Sequence, residues 1–298
     1  MSGRLTRASV ISALALLPAC SGDDGDEAPD AAATTGAGGQ NTAGTGGTAT
    51  TFAISFEYAY DTSGYFDEAK RRALSEAAAS WTRYIASEFD DVPAGTALRA
   101  RHPEHLDREG MVFELDYAID DLVVLMGSSP IDGMGMSLAS SSSSFTTQIA
   151  DAALLEALRG RYDGQPFQPW MAQTTFDSEE WWAVDSTPES DDDLVAGDND
   201  FISTAIHELG HVLGIGSAAA FDALVEAGRF VGPRAMEVHG GPVPLAADGV
   251  HFERDTLSNG KLPSLELGTA PGQRKRPTEL DLAVLEDLGY TIRWELVN

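Results

Sequence analysis

The strongest constraint on the fold comes from residues 207–217, which read His-Glu-Leu-Gly-His-Val-Leu-Gly-Ile-Gly-Ser. On a helix, His207 and His211 lie one turn apart and face the same side. Two imidazoles at this spacing suit a tetrahedral zinc ion, and Glu208 follows the first of them, where a carboxylate can take a proton from water. The pattern predicts a metal-binding helix. The alternative is a surface helix that carries these residues by chance.

The residues around this stretch predict where the helix begins and ends. Asp200 or Ser203 can cap its start, and Gly214 allows a left-handed turn at its end. Apolar residues recur at helical spacing on one face: Ile202, Ile206, Leu209 and Leu213. The sequence therefore predicts a buried helix over about residues 200–213.

The order His-Glu-x-x-His-x-x-Gly, ending at Gly214, resembles the metzincin zinc peptidases. In that superfamily the chain turns at this glycine, and a third ligand, usually His or Asp, follows three residues later. This chain has Ser217 there, and a serine hydroxyl is a poor zinc ligand. Either the site is damaged or the third ligand comes from another part of the chain.

Two histidines, His239 and His251, follow Ser217. The tail resembles leishmanolysin-like and matrixin-like bacterial metzincins that have an insertion before the third ligand. In those proteins a His-aromatic pair and a closing helix ending Asp-hydrophobic-Gly-aromatic follow the glycine turn. His251-Phe252 and residues 287–290 match these two landmarks. The resemblance implies that His251, rather than His239, is the displaced third ligand.

The resemblance also implies a methionine beneath the zinc, but no methionine follows Met236. Leu265 or Leu267 stands at the corresponding position, and leucine has a similar volume. A different reading is a gluzincin-like peptidase whose third ligand is a carboxylate, Glu226 or Glu237.

The amino terminus has the pattern of a targeting segment. Arg4 and Arg7 precede an apolar run, residues 8–17, that is too short to span a bilayer. The run ends in Leu-Pro-Ala-Cys at Cys20, which resembles a bacterial lipobox and is the only cysteine in the chain. We expect a lipoprotein signal peptide over 1–20 and a flexible tether over 21–51. An ordinary signal peptide cut nearby is the alternative.

The formal net charge of −28 argues against nucleic acid or an anionic lipid surface as a partner. Part of this charge lies in residues 177–200, where oxygen ligands could bind Ca²⁺: Asp191, Asp192, Asp193, Asp198 and Asp200. The segment has no EF-hand spacing, so a solvated acidic loop is the simpler interpretation.

Periodicity predicts the remaining elements. Strands are expected at residues 52–58, 111–117, 121–127 and 166–176, a helix at 67–86, and a mobile loop at 128–144. Gln168–Thr175 is the candidate for the strand that edges the active cleft in metzincins. His102 and His105 are expected at the surface, because Pro103 between them disfavours a helix.

These observations lead to one hypothesis for residues 52–298. We expect an α+β metzincin-like domain with a small mixed sheet, an active-site helix and an irregular C-terminal part with a closing helix. His207, His211 and His251 would hold one Zn²⁺, and Glu208 would act as general base on protein or peptide substrates. The expected protein is a monomer in the cell envelope or outside the cell, with membrane contact only through Cys20. The alternative is an inactive zinc-binding surface lipoprotein on the same fold.

Overall fold

The computed structural model describes residues 51–100, 102–105, 111–131, 139–142, 145–147, 151–185, 190, 194–195, 199–267 and 274–297. The predicted lipobox cysteine, Cys20, and all but the last residue of the predicted tether lie outside these residues. Within the described part of the chain, no helix has the length and apolar character needed to cross a bilayer.

The described chain forms six α-helices, one 3₁₀ turn at Trp294–Leu296 and twelve short strands. The helices are α1 (Glu68–Thr82), α2 (Ala152–Asp163), α3 (Phe201–Val212), α4 (Ala219–Asp222), α5 (Pro233–His239) and α6 (Glu279–Asp287). The strands are β1 (Ile54–Glu57), β2 (Ala97–Ala100), β3 (Met111–Glu114), β4 (Leu122–Ser129), β5 (Ala139–Ser142), β6 (Phe145–Thr147), β7 (Met171–Asp177), β8 (Trp182–Ala183), β9 (Asn199–Asp200), β10 (Val225–Glu226), β11 (Arg229–Phe230) and β12 (Val243–Pro244).

The main sheet has the strand order β1-β4-β7-β5. β1, β4 and β7 are parallel, and β5 is antiparallel to β7. The central strand β4 is buried along nearly its whole length, and its first five residues are apolar because both of its faces are covered. Leu122, Val124 and Met126 belong to one hydrophobic cluster, whereas Val123 and Leu125 belong to another that includes residues of α2.

Helices α1 and α3 pack together on the face of this sheet that carries Leu122, Val124 and Met126. Asp67 caps α1 by accepting a hydrogen bond from the Lys70 amide. The buried Trp81 indole then donates to the backbone carbonyl of Ile206 at 3.0 Å. This bond fixes α3 against α1 at the turn that carries the predicted metal ligands.

The segment between Gly214 and His251 contains α4, α5 and a three-stranded antiparallel sheet in the order β10-β11-β12. Its buried side chains, such as Phe221 and Phe230, belong to the same hydrophobic cluster as those of α1 and α3. Helix α5 packs on α6, where the Asp287 carboxylate accepts hydrogen bonds from the Arg234 and Ala235 amides at 2.9 and 2.8 Å. The insertion is therefore an ordered part of the C-terminal half.

The structure differs from the sequence-based expectations at two places around the main sheet. The predicted loop 128–144 contains β5, which lies at the end of the sheet and next to α3. The predicted cleft-edge strand, Gln168–Thr175, is wrong in this role, because β7 has partner strands on both sides. Among the described strands, β5 occupies the edge position instead.

Candidate metal centre

Helix α3 begins where the sequence predicts and is capped by Asp200. The Asp200 carboxylate accepts hydrogen bonds from the Ser203 amide at 3.1 Å and from the Ser203 hydroxyl at 2.6 Å. The same carboxylate is paired with the buried Arg274 guanidinium at 3.0 Å. Since a carboxylate at this end also complements the helix dipole, the start of the helix is held firmly.

The far end of α3 turns at Gly214, whose φ of 111° favours glycine. A Cβ at this position would lie 2.7 Å from the Phe167 ring, so packing also requires glycine. After the turn, the Ser217 hydroxyl donates to the His211 carbonyl at 2.5 Å. Ser217 therefore ties down the last turn of the helix, and its hydroxyl proton is used by the His211 carbonyl.

Three imidazoles converge beside this helix. The Nε2 atoms of His207 and His211 are 3.1 Å apart. The Nε2 atom of His251 lies 3.1 Å from that of His207 and 3.2 Å from that of His211. Three ligand nitrogens around a tetrahedral zinc, with bonds of about 2.05 Å, would be about 3.3 Å apart. The spacing therefore fits one metal ion that all three rings share.

The outer nitrogen of each ring faces an acceptor. The Nδ1 atoms of His207 and His211 each lie 2.8 Å from a backbone carbonyl, that of Ser264 and that of Ile215 respectively. The Nδ1 atom of His251 lies 2.8 Å from a carboxylate oxygen of Asp248. Acceptors at Nδ1 require a proton there, so a neutral ring has its lone pair on Nε2. Three lone pairs that face one another cannot hydrogen-bond mutually, and a cation satisfies all three.

The electrostatics keep the His207 and His211 rings neutral. Burial, together with the neighbouring His211 and His251 rings, lowers the pKa of His207 well below its ordinary value. Burial and the His251 ring lower the pKa of His211 to about 3. An imidazole that binds a metal must be neutral, and the cluster holds the His207 and His211 rings in that state at neutral pH.

A family model described as Matrixin matches residues 159–228. The match supports a metzincin-type metallopeptidase family. It contains all of α3, including His207, Glu208 and His211, and the turn at Gly214. It ends before His251, so the match does not include the third histidine. A comparison with curated proteins finds no match. The family implies zinc, and the three histidines could hold such an ion.

Glu208, the predicted general base, lies on α3 and is only 6% exposed. A carboxylate is a group that can accept a proton from a nearby water molecule. Its position relative to His207 is set by the helix itself.

The loop that contains Ser264, Leu265 and Glu266 lies against α3, and we call it the floor of the centre. Leu265 is fully buried, and its side chain lies where a Cβ on Gly210 would have to stand. Leu267, the other candidate for this position, is only partly buried. The structure thus places Leu265, rather than Leu267, under the helix that carries two of the histidines.

The buried Asp281 carboxylate holds this floor loop in place. It accepts hydrogen bonds from the Ser264 amide at 3.0 Å, the Ser264 hydroxyl at 2.9 Å and the Leu265 amide at 3.3 Å. Asp281 lies in the first turn of α6, where its carboxylate also accepts a hydrogen bond from the amide of the cap residue Thr278 at 2.7 Å. The structure adds the link from α6 through Ser264 to His207. Burial raises the pKa of Asp281, against the effect of these hydrogen bonds.

A second set of buried charges connects the floor to the start of α3. Lys275 donates to the Glu266 carboxylate at 2.7 Å, and its amide donates to the Ser203 hydroxyl at 2.8 Å. Arg274 next to it pairs with Asp185 at 2.5 Å and with Asp200. Asp200, one of the five aspartates of the calcium hypothesis, is therefore part of a buried ion pair. The other four aspartates of the calcium hypothesis, Asp191, Asp192, Asp193 and Asp198, lie outside the described residues.

The alternative third ligands are not brought to the centre. The His239 Nδ1 atom lies 3.1 Å from the Gly241 carbonyl, at the end of α5. Glu226 is on β10, and Glu237 pairs with Arg234 on α5. Among the described residues, the group that could hold a metal with His207 and His211 is completed by His251.

A second group of potential ligands, His102, Glu104 and His105, lies in one turn. The surface prediction is wrong for His102, which is 8% exposed, because the turn packs on β7, where the Thr175 hydroxyl donates to the Pro103 carbonyl at 2.6 Å. The Glu104 carboxylate accepts from the Thr62 amide at 3.1 Å and the Thr62 hydroxyl at 2.7 Å. The Glu104 amide donates to His102 Nδ1 at 3.0 Å. These bonds give the group a structural role.

Proposed function

We propose that this chain is a zinc-dependent endopeptidase of the metzincin type, with its third histidine ligand displaced by an insertion. The observation that carries the proposal is the convergence of the His207, His211 and His251 Nε2 atoms at 3.1–3.2 Å. Glu208 beside them supports catalysis over mere storage, because zinc binding alone does not need that carboxylate.

The protein groups have separate roles in the proposed reaction. A zinc ion bound here would supply Lewis acidity, which would polarise a peptide carbonyl and lower the pKa of water to near neutral pH. The three imidazoles bind the ion as neutral ligands. The Glu208 carboxylate accepts a proton from the attacking water and then delivers it to the leaving amine nitrogen. The products are a new carboxyl terminus and a new amino terminus, as in hydrolysis within a chain.

We propose that an extended substrate segment lies along β5. This strand ends the main sheet and is adjacent to α3. An edge strand offers backbone donors and acceptors to an added strand, and a substrate held this way keeps its scissile bond extended. Backbone recognition of this kind suits protein substrates of varied sequence.

The experiment that tests the proposal measures zinc content and casein cleavage in four proteins: wild type, Glu208→Gln, His251→Ala and the control His239→Ala. We expect about one zinc per wild-type chain. Glu208→Gln should keep its zinc and lose cleavage, His251→Ala should lose both, and His239→Ala should keep both. If the wild type binds zinc but neither it nor Glu208→Gln cleaves casein, the chain is an inactive zinc-binding protein. If His239→Ala loses both zinc and cleavage, the assignment of His251 as the third ligand is wrong.

We also propose that the domain is tethered to the cell envelope through a lipid on Cys20, as an outer-membrane lipoprotein or an extracellular one. The support is the lipobox-like Leu-Pro-Ala-Cys and the low-complexity segment after it. Expression in a Gram-negative host with an alkyne-labelled fatty acid tests this. The wild type should be labelled and fractionate with membranes, and Cys20→Ala should be unlabelled. Label on the Cys20→Ala protein would contradict the proposal.

A further inference from the structure

The three clustered histidines differ in what holds their outer nitrogens. His207 and His211 each face a neutral backbone carbonyl. His251 alone faces a carboxylate, the Oδ2 atom of Asp248 at 2.8 Å. His251 is also the ring that does not belong to α3, so no helix fixes its position.

Asp248 arranges the backbone of His251 as well as its ring. Its Oδ1 atom accepts hydrogen bonds from the Val250 amide at 2.9 Å and from the His251 amide at 3.2 Å. The turn is closed by the Ala246 amide, which donates to the His251 carbonyl at 2.9 Å. One carboxylate therefore uses one oxygen for the turn and the other for the imidazole.

The turn is also seated against the end of α3. A Cβ on Gly216 would collide with the Val250 carbonyl oxygen, so the two segments are in close contact. This contact sets the distance between the His251 loop and His211. Asp248, which contacts both the amide and the Nδ1 atom of His251, orients the imidazole and favours a proton on Nδ1.

We propose that Asp248 is a positioning residue for the metal centre. It holds His251 in the Nδ1-protonated form, so that the Nε2 lone pair is directed at the shared metal position. This inference rests on the proposed zinc site. A carboxylate partner also makes the imidazole a stronger ligand and balances part of the charge of a divalent ion.

The decisive variant is Asp248→Asn, which is nearly isosteric. Its amide oxygen can replace Oδ1 in the turn, but its NH₂ group then faces His251 Nδ1. Two donors cannot face each other, so the ring is driven to carry its proton on Nε2, where it cannot bind metal. Asp248→Ala removes both contacts without imposing the wrong proton position. Asp61→Asn is the matched control, because the Asp61 carboxylate accepts from the Tyr65 and Phe66 amides at 2.8 and 3.0 Å in a turn away from the centre.

Zinc affinity is measured on the full chain by competition with a chromogenic chelator. We expect a loss of about 10- to 100-fold for Asp248→Asn, at least as large as for Asp248→Ala, and wild-type affinity for Asp61→Asn. Imidazole ¹⁵N NMR of the zinc-free proteins should show His251 protonated on Nδ1 in the wild type and on Nε2 in Asp248→Asn. A merely structural role would not change this proton position.

The outcomes separate this inference from the function it rests on. Wild-type zinc binding with unchanged affinity in both Asp248 variants would overturn the role of Asp248 and leave the zinc site standing. An affinity loss that occurs equally in Asp61→Asn, with His251 still protonated on Nδ1, would overturn it too. A wild type that binds no zinc would overturn both proposals.

Discussion

The contact between Gly210 and Leu265 leads to a quantitative prediction about the floor of the centre. A Cβ on Gly210 would overlap Leu265 Cδ2 and lie 3.1 Å from the Trp81 ring. Gly210→Ala should gain about 1 kcal/mol of helix propensity but lose about 1–3 kcal/mol to overpacking. We therefore expect a net loss of up to about 2 kcal/mol in the free energy of unfolding.

Leu265→Ala removes the atoms that cause this overlap. The side chain is fully buried, so the substitution alone should cost about 2–5 kcal/mol. In that background the new methyl group of Gly210→Ala enters the vacated space and keeps its propensity gain. The double variant should then be about 1 kcal/mol more stable than Leu265→Ala alone, which is a coupling of about 1–3 kcal/mol.

The assay is urea unfolding of the four proteins of this cycle in EDTA, so that zinc binding does not contribute. Gly160→Ala on α2 is the matched control, because nothing lies within 4 Å of a Cβ built there. It should stabilise the protein by about 0.5–1 kcal/mol in either background. If Gly210→Ala costs the same with and without the Leu265 side chain, Leu265 does not fill the space beneath α3 and the reasoning is refuted.

Two further predictions concern buried charges. Arg274→Met leaves the buried carboxylates of Asp185 and Asp200 without their guanidinium, and should cost about 3–5 kcal/mol by urea unfolding. Lys70→Met, which breaks the partly exposed pair of Lys70 with Asp67, should cost no more than about 1 kcal/mol. An equal effect of the two variants would contradict this. Burial raises the pKa of Asp121 to about 6 despite hydrogen bonds from two backbone amides. Because the folded state then binds the proton more tightly, stability should fall as the pH rises from about 4 to 6, by at most about 3 kcal/mol, and Asp121→Asn should remove this slope.

Local sequence patterns predict the elements that carry their own signals. Helix α3 combines a cap at Asp200, an apolar face and a glycine turn, and it forms within a residue or two of the expected limits. The apolar run of β4 is recognisable for the same reason, since burial on both faces demands it. His251 is identified only by its resemblance to the metzincin tail, yet the structure places it with His207 and His211.

Elements set by distant contacts are harder to infer. β5 consists of Ala-Ser-Ser-Ser, a composition with little strand preference, and it forms because β7 pairs with it. Helix α2 is missing from the sequence-based expectations, although Asp151 is a recognisable cap that accepts from the Ala153 and Leu154 amides. The roles of Asp248 and Asp281 depend on the folded positions of His251 and Ser264, which spacing alone does not give.

The proposed displacement of the third ligand to His251 is energetically reasonable, because a long connecting segment costs little to close. Ser217 lies six positions after His211, whereas His251 lies forty positions after it. The logarithmic dependence on loop length makes the longer closure more expensive by only about 2 kcal/mol. Burial of one large apolar side chain contributes about 1.5–3 kcal/mol, and the insertion fully buries Phe221, Phe230 and Val243. The insertion therefore offsets its own closure by packing, and Ser217 is left to stabilise the helix end.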